Sequence, residues 1–363
     1  MANSMIKSIK LMFSGSLLLL VGSVNAMDAP VGVRPCCAFG KDLKAEVGGI
    51  PVPFFSIDNI LGIEDLGAHV YNDGSQGVLS SLLGMGKENN GIVYTQKGGA
   101  IDIAHVRDTA DFTFFLYQKI HSKLGSGTSI VLTPELRSRH IYLPKKDTHH
   151  LSAQERQKIS VELAGLMAFR LAQWHEIAQW FGFESISGFS ELASAFSPED
   201  LYSNMLGAKV AKNILQQQPS ISKHVFSQIF TQNLKAKLIA LEIFSVEKSK
   251  QTIASLDGKW WDSSKRLPQK WVVLKRDYRL HLDLRPNGVV DGEQEQLTTQ
   301  LSNGDSSDQW ADFYLHSADQ EKQFELLPTE LKKKQIWQPK DFNQLAHFAK
   351  QHDAKEVGHS TQV

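Results

Sequence analysis

The clearest hydrophobic periodicity in the chain lies between residues 152 and 182. Ile159, Leu163, Leu166, Met167, Leu171, Trp174 and Ile177 recur at helical spacing, Ser152 and Glu155 form a capping box, and Gly182 supplies a stop. A second segment turns helical from Asp102 to about Leu124, where a polar start runs into the apolar FTFFL of residues 112–116 before Gly125. Ser197-Pro198-Glu199-Asp200 reads as another helix start, with Ser197 as N-cap and Pro198 in the first position. A further helical block runs from about His224 to Leu256.

The rest of the chain reads as short strands. Residues 27–100 alternate extended runs, Val52–Ser56 and Gly91–Gln96 among them, with NDG, NNG and GG turn signals. Residues 128–143 read as two short strands about a proline turn, and strand-like alternation returns after Lys259 through DFYLHS and KQFELL. A short helix over Asp341–Gln351 and a polar tail close the pattern. The fold predicted is α+β. It has a helix-rich main domain with short strands over residues 27–256, a smaller β-containing C-terminal part over 257–350, and a disordered tail over 351–363.

Residues 1–26 stand apart. Lys7 and Lys10 precede an apolar run through Leu17–Val21, and the stretch ends at Val24-Asn25-Ala26, the pattern of a secretory signal peptide cleaved near Ala26. The apolar run is short for a membrane span, and no later stretch qualifies. The expectation is a periplasmic or secreted protein with no membrane span after cleavage. Removing this segment takes two of the 39 Lys+Arg and none of the 39 Asp+Glu, so the remainder stays close to neutral. Such a balance carries no electrostatic footprint for nucleic acid.

Both cysteines are adjacent, Cys36-Cys37. Neighbouring Cα atoms sit about 3.8 Å apart across a trans peptide, below the roughly 4.4–6.8 Å of a relaxed disulfide. A bridge between them would be strained, and free thiols or soft metal ligands stay open beside it.

Two polar clusters carry candidate chemistry. In GGAIDIAHVRDTAD, residues 98–111, His105 and Asp108 share a helix face, Asp102 lies one turn earlier beside His105, and Asp111 turns away. Gly98-Gly99 would permit close backbone approach at the helix start. In QWHEIAQWFG, residues 173–182, His175-Glu176 supplies the first half of the H-E-x-x-H zinc motif, with Gln179 in place of the second histidine. A standard zinc peptidase is therefore unsupported. Two antiparallel helices would instead bring His105, Asp108 and His175 to one divalent ion, zinc fitting best, with Glu176 as general base. Asp102, Asp111 and His69 are supporting candidates. Glu199 and Asp200 are further candidate contributors, though the Ser-Pro-Glu-Asp helix start explains them adequately, and the sequence does not rank Glu184 or Glu191.

The sharpest function on this pattern is a metal-dependent hydrolase of the cell envelope, acting on an unidentified small molecule or polymer. Two alternatives compete. A thiol hydrolase would pair Cys36 or Cys37 with His69 or His105. A non-enzymatic periplasmic binding protein would use Trp260, Trp261, Trp271, Trp310 and Trp337 as a surface. Taken together, RPCCAFG, GG-x-ID-x-AHVRD-x-AD, WHE-x-x-x-WFG and SPEDLYSN-x-x-G resemble an uncharacterised bacterial exported family, the domain of unknown function 4056. The resemblance implies export and a shared fold, and no activity.

Overall fold

The computed structural model describes residues 27–32, 34, 39–74, 88–185, 190–318 and 321–360. The expected signal segment and Cys36-Cys37 lie outside them. Seven α-helices and several small sheets fill the described residues, which is an α+β fold.

Helix α1 (Ile103–Lys123) is the axis of the molecule. Buried residues occupy every side of it, including the charged Arg107 and Asp111. An all-round buried helix needs apolar neighbours on each face, and α2 (Ala153–Trp180) and α3 (Asp200–Gln217) supply them. The α1–α3 contact is close because Gly207 has no side chain: a Cβ there would stand 2.1 Å from the Val106 carbonyl oxygen. The capping box at Ser152 forms as the sequence predicts. Helix α4 (Lys223–Ala240) packs on α3, and α5 (Val246–Ala254) follows. The single helical block expected there is thus two helices. They are separated where Glu242 takes a positive φ and the Phe244 amide bonds the Tyr94 carbonyl.

The strands β1 (Leu43–Val47) and β2 (Ile50–Ile57) form an antiparallel hairpin, joined in parallel by β7 (Arg266–Leu267). The pair β3 (Ile92–Thr95) and β4 (Gly99–Asp102) is a second hairpin that feeds straight into α1. Gly98 and Gly99 serve its turn: Gly99 has φ 63°, and the Gly98 amide donates to Thr95 Oγ1. After α1 come β5 (Ser126–Glu135) and β6 (Arg137–Lys145), longer than expected and joined at Leu136 rather than at the proline. Pro134 sits on β5, the sheet edge, where its missing amide costs no ladder bond. A small pair, β8 (Asp283–Leu284) and β9 (Glu295–Gln296), precedes β10 (Asp312–His316). After the short α6 (Thr329–Lys332) and β11 (Ile336–Trp337), the larger sheet is complete in the order β11-β10-β6-β5.

The C-terminal helix α7 (Pro339–Ser360) runs well past Gln351 and buries Phe342, Leu345, Ala346, Ala349 and Asp353. The expected tail is therefore ordered helix as far as residue 360. Its apolar side chains share one core with those of α1, α2 and α3, so a single apolar cluster spans both sides of residue 256. Trp260, Trp261, Trp310 and Trp337 are all buried, which removes them from any binding surface. A smaller cluster around Phe39, Tyr94, Trp260 and Val273 lies beside the β1-β2-β7 sheet.

Candidate metal centre

Asp102 ends β4 and caps α1, its Oδ1 accepting the amides of Ala104 at 2.7 Å and His105 at 3.3 Å. Its own amide donates to Ser203 Oγ at 2.9 Å, which ties the start of α1 to α3. One turn on, the His105 ring meets carboxylates from three elements. Nδ1 lies 3.5 Å from Asp102 Oδ2 and 3.8 Å from Asp200 Oδ1, and Nε2 lies 3.5 Å from Glu176 Oε1. One ligand atom each from Asp102, His105 and Asp200 falls within 4.8 Å of the others.

These spacings exceed a direct hydrogen bond, about 2.7–3.2 Å. The two Nδ1 spacings are near the edge of a tetrahedron of ligands drawn around one ion, about 3.4 Å for bonds near 2.1 Å.

The cluster is acidic and buried. Asp102, Glu176, Glu199 and Asp200 are each no more than 2% exposed. Glu176 Oε2 accepts the Phe196 amide at 2.8 Å, whereas Glu176 Oε1 and Asp200 Oδ2 have no hydrogen-bond partner among the described residues. Burial, reinforced by Asp102, pushes the Glu199 carboxyl up to about 8, against the pull of the Ser197 hydroxyl at 2.9 Å. Burial likewise holds the Asp200 carboxyl well above the usual carboxylate range, with Glu176, Glu199 and Asp102 adding to it and His105 opposing. Four carboxyls in this space demand protons or a cation.

His105, an expected ligand, and Asp102, expected only in support, both lie in this centre, and Glu176 faces His105. For Asp200 the sequence favours a helix-start role over a site role, yet α3 begins at Asp200 with no side-chain cap from Glu199, and the Ser197 hydroxyl bonds the Glu199 carboxylate instead. Nothing in the local sequence separates those two roles.

Asp108 and His175 go elsewhere. Arg34 is buried against α1 and forms ion pairs with Asp108 at 2.5 Å, Asp111 at 2.9 Å and Glu88 at 2.8 Å. His69 stands between two of the same carboxylates, Nε2 3.0 Å from Asp111 and Nδ1 3.0 Å from Glu88, with its ring on Phe230. Asp111, turned away from His105, is therefore wholly buried against these neighbouring segments. Glu88 is held far below the usual carboxylate range: burial opposes its charge, but Arg34, His69 and Arg107 outweigh burial. Arg107 in turn donates to the carbonyls of Leu66 and Asn89. This is a closed ion-pair network fastening residues 34, 69 and 88 to α1. Neither Arg34 nor Glu88 stands out in the sequence.

His175 pairs with Glu135 on β5, Nδ1 to Oε1 at 3.3 Å, and Glu135 also takes Arg139 at 2.6 Å. Burial opposes the charged ring, but the Glu135 carboxylate prevails and raises His175 above 6.5.

A second group of described residues, His352, Asp353 and Glu356 on α7, also could hold a metal ion. There the Lys270 ammonium already lies 2.6 Å from Asp353 and 2.7 Å from Glu356, where a cation would sit.

Over residues 24–290 the chain matches a family model described as a protein of unknown function (DUF4056). No curated protein and no solved structure matches it.

Proposed function

We propose that this chain, which belongs to the DUF4056 family, binds one divalent cation through Asp102, His105 and Asp200 and is a metal-dependent hydrolase. The observation that carries the reading is Asp200 Oδ2, a buried carboxylate oxygen with no hydrogen-bond partner among the described residues, on a side chain that shares ligand spacing with His105 and Asp102. An uncompensated buried carboxylate costs several kcal/mol, and a divalent ion supplies the compensating charge.

In this reading Nδ1 of His105 would serve as the ligand atom and Nε2, 3.5 Å from Glu176 Oε1, would carry the ring proton, a tautomer that the neighbouring carboxylate favours. Glu176 thereby takes an orienting role in place of the general base expected from its neighbour His175. Asp102, His105 and Asp200 would hold the ion, and the chemistry it would supply is activation of water as a nucleophile near neutral pH. Mixed imidazole and carboxylate donors suit zinc or manganese. Signal-peptide cleavage near Ala26 and an envelope substrate, a small molecule or polymer, complete the proposal.

The test is metal content by elemental mass spectrometry and titration calorimetry with Zn²⁺ and Mn²⁺, on the purified protein. Near-stoichiometric metal is expected in the parent, lost in His105→Ala and Asp200→Asn. Asp102→Asn loses it too while keeping the helix cap, because asparagine caps as well as aspartate. Absence of metal after reconstitution sinks the reading, and the cluster is then a set of protonated buried carboxyls. With metal bound, a screen of ester, phosphoester and peptide substrates follows.

A further inference from the structure

Glu176 does not hold its own position. Its Oε2 depends on the amide of Phe196, and Phe196 has φ 58°, a left-handed conformation that a bulky residue keeps only when its surroundings impose it. Three contacts impose it here. The Arg276 guanidinium donates to the Ala195 carbonyl immediately before it, the Asp277 amide donates to the Phe196 carbonyl at 2.7 Å, and the Tyr278 ring packs tilted against the Phe196 ring with centroids 4.9 Å apart.

Arg276 and Tyr278 converge on one carboxylate of α7. Asp353 accepts the Tyr278 hydroxyl at 2.5 Å and lies 3.6 Å from Arg276 Nε, an atom with no hydrogen-bond partner of its own. It also accepts Trp180 Nε1 at 3.1 Å, one turn beyond Glu176 on α2. The Lys270 ammonium at 2.6 Å balances its charge. Asp353 is 4% exposed and lies beyond residue 290, outside the stretch that matches the family.

We infer that Asp353 is a positioning residue for the metal centre: through Arg276, Tyr278 and Trp180 it locks the Phe196 turn and the end of α2, and so places Glu176 and Asp200 around His105. The inference rests on the proposed metal reading, and one experiment separates the two. Titration calorimetry with Mn²⁺ is run on the full chain and on Asp353→Asn, Asp353→Glu, Tyr278→Phe and Leu345→Ala, with thermal unfolding of each. Asp353→Asn keeps the shape and removes the charge, and should weaken Mn²⁺ about 10- to 100-fold, the usual cost of losing an outer partner. Tyr278→Phe, a milder change for the case where Asp353→Asn does not fold, should weaken it in the same direction, and Asp353→Glu should recover part of the loss. Leu345→Ala loosens α7 without touching Asp353 and should bind as the parent does.

Parent affinity in Asp353→Asn and Tyr278→Phe overturns the inference alone. Equal loss in Leu345→Ala also overturns it, because the role is then merely structural. A parent that takes no metal overturns the metal reading and this inference with it.

Discussion

His175 and Glu176 are consecutive, yet they serve opposite sides of α2, because neighbouring helix residues point about 100° apart. One reaches Glu135 on the sheet edge and the other faces His105 across the helices. The dipeptide was legible as chemistry, but the direction of each side chain was not. The His175–Glu135 pair has a definite pH signature. A histidine raised above 6.5 in the folded state contributes stability that is full below pH 6.5 and fades as pH rises through the folded value. Its partner Glu135 is lowered below 4.5, because Arg139 and His175 outweigh its burial, and contributes stability above pH 4.5 that is lost on acidification. The stability difference between the parent and His175→Gln, from urea unfolding, should therefore be larger at pH 6 than at pH 9. A difference independent of pH would remove the charged pair.

At the scale of elements, periodicity located α1, α2 and the start of β10 well, because burial of one face repeats every turn or every second residue. It failed where partners outside the element decide the outcome. Tertiary contacts end α4 at Leu241, and α7 continues past Gln351 because Asp353 has buried partners that a local pattern cannot reveal. The α1–α3 crossing is the element contact most sensitive to a single atom. Gly207→Ala would place a methyl 2.1 Å from a backbone oxygen that cannot swing aside, so the helices must part. The expected loss is about 1–3 kcal/mol, the range for overpacking, despite the better helix propensity of alanine. Chemical denaturation measures it, and a neutral or stabilising result would show that this crossing yields easily. Because Val106 is next to His105, the metal reading proposed above expects weaker binding of the ion to accompany the loss.

The whole molecule is held by a core that ignores the sequence boundary expected at residue 256. Trp174 on α2 packs against Trp337 and Phe342, and Trp180 against Phe348 and His352. A chain ending after residue 290, where the family match stops, would strip these partners away and expose both tryptophans. It should lose the cooperative thermal transition of the full chain and bind a hydrophobic dye. An unchanged melting temperature would show that the later segment is dispensable. The sequence by itself determined the α+β class, the long capped helix and the helix start at Asp102, and it pointed to His105 as a ligand with Asp102 in support. Those follow from propensity, capping and spacing, which act over a few residues. Only the tertiary structure decided that Asp108 belongs to Arg34, that His175 belongs to Glu135, and that Asp200 and Glu176 meet His105. Residues 95 positions apart come together through the close crossing of α1 and α3, and the cost of burying charge then selects which carboxylate answers which cation.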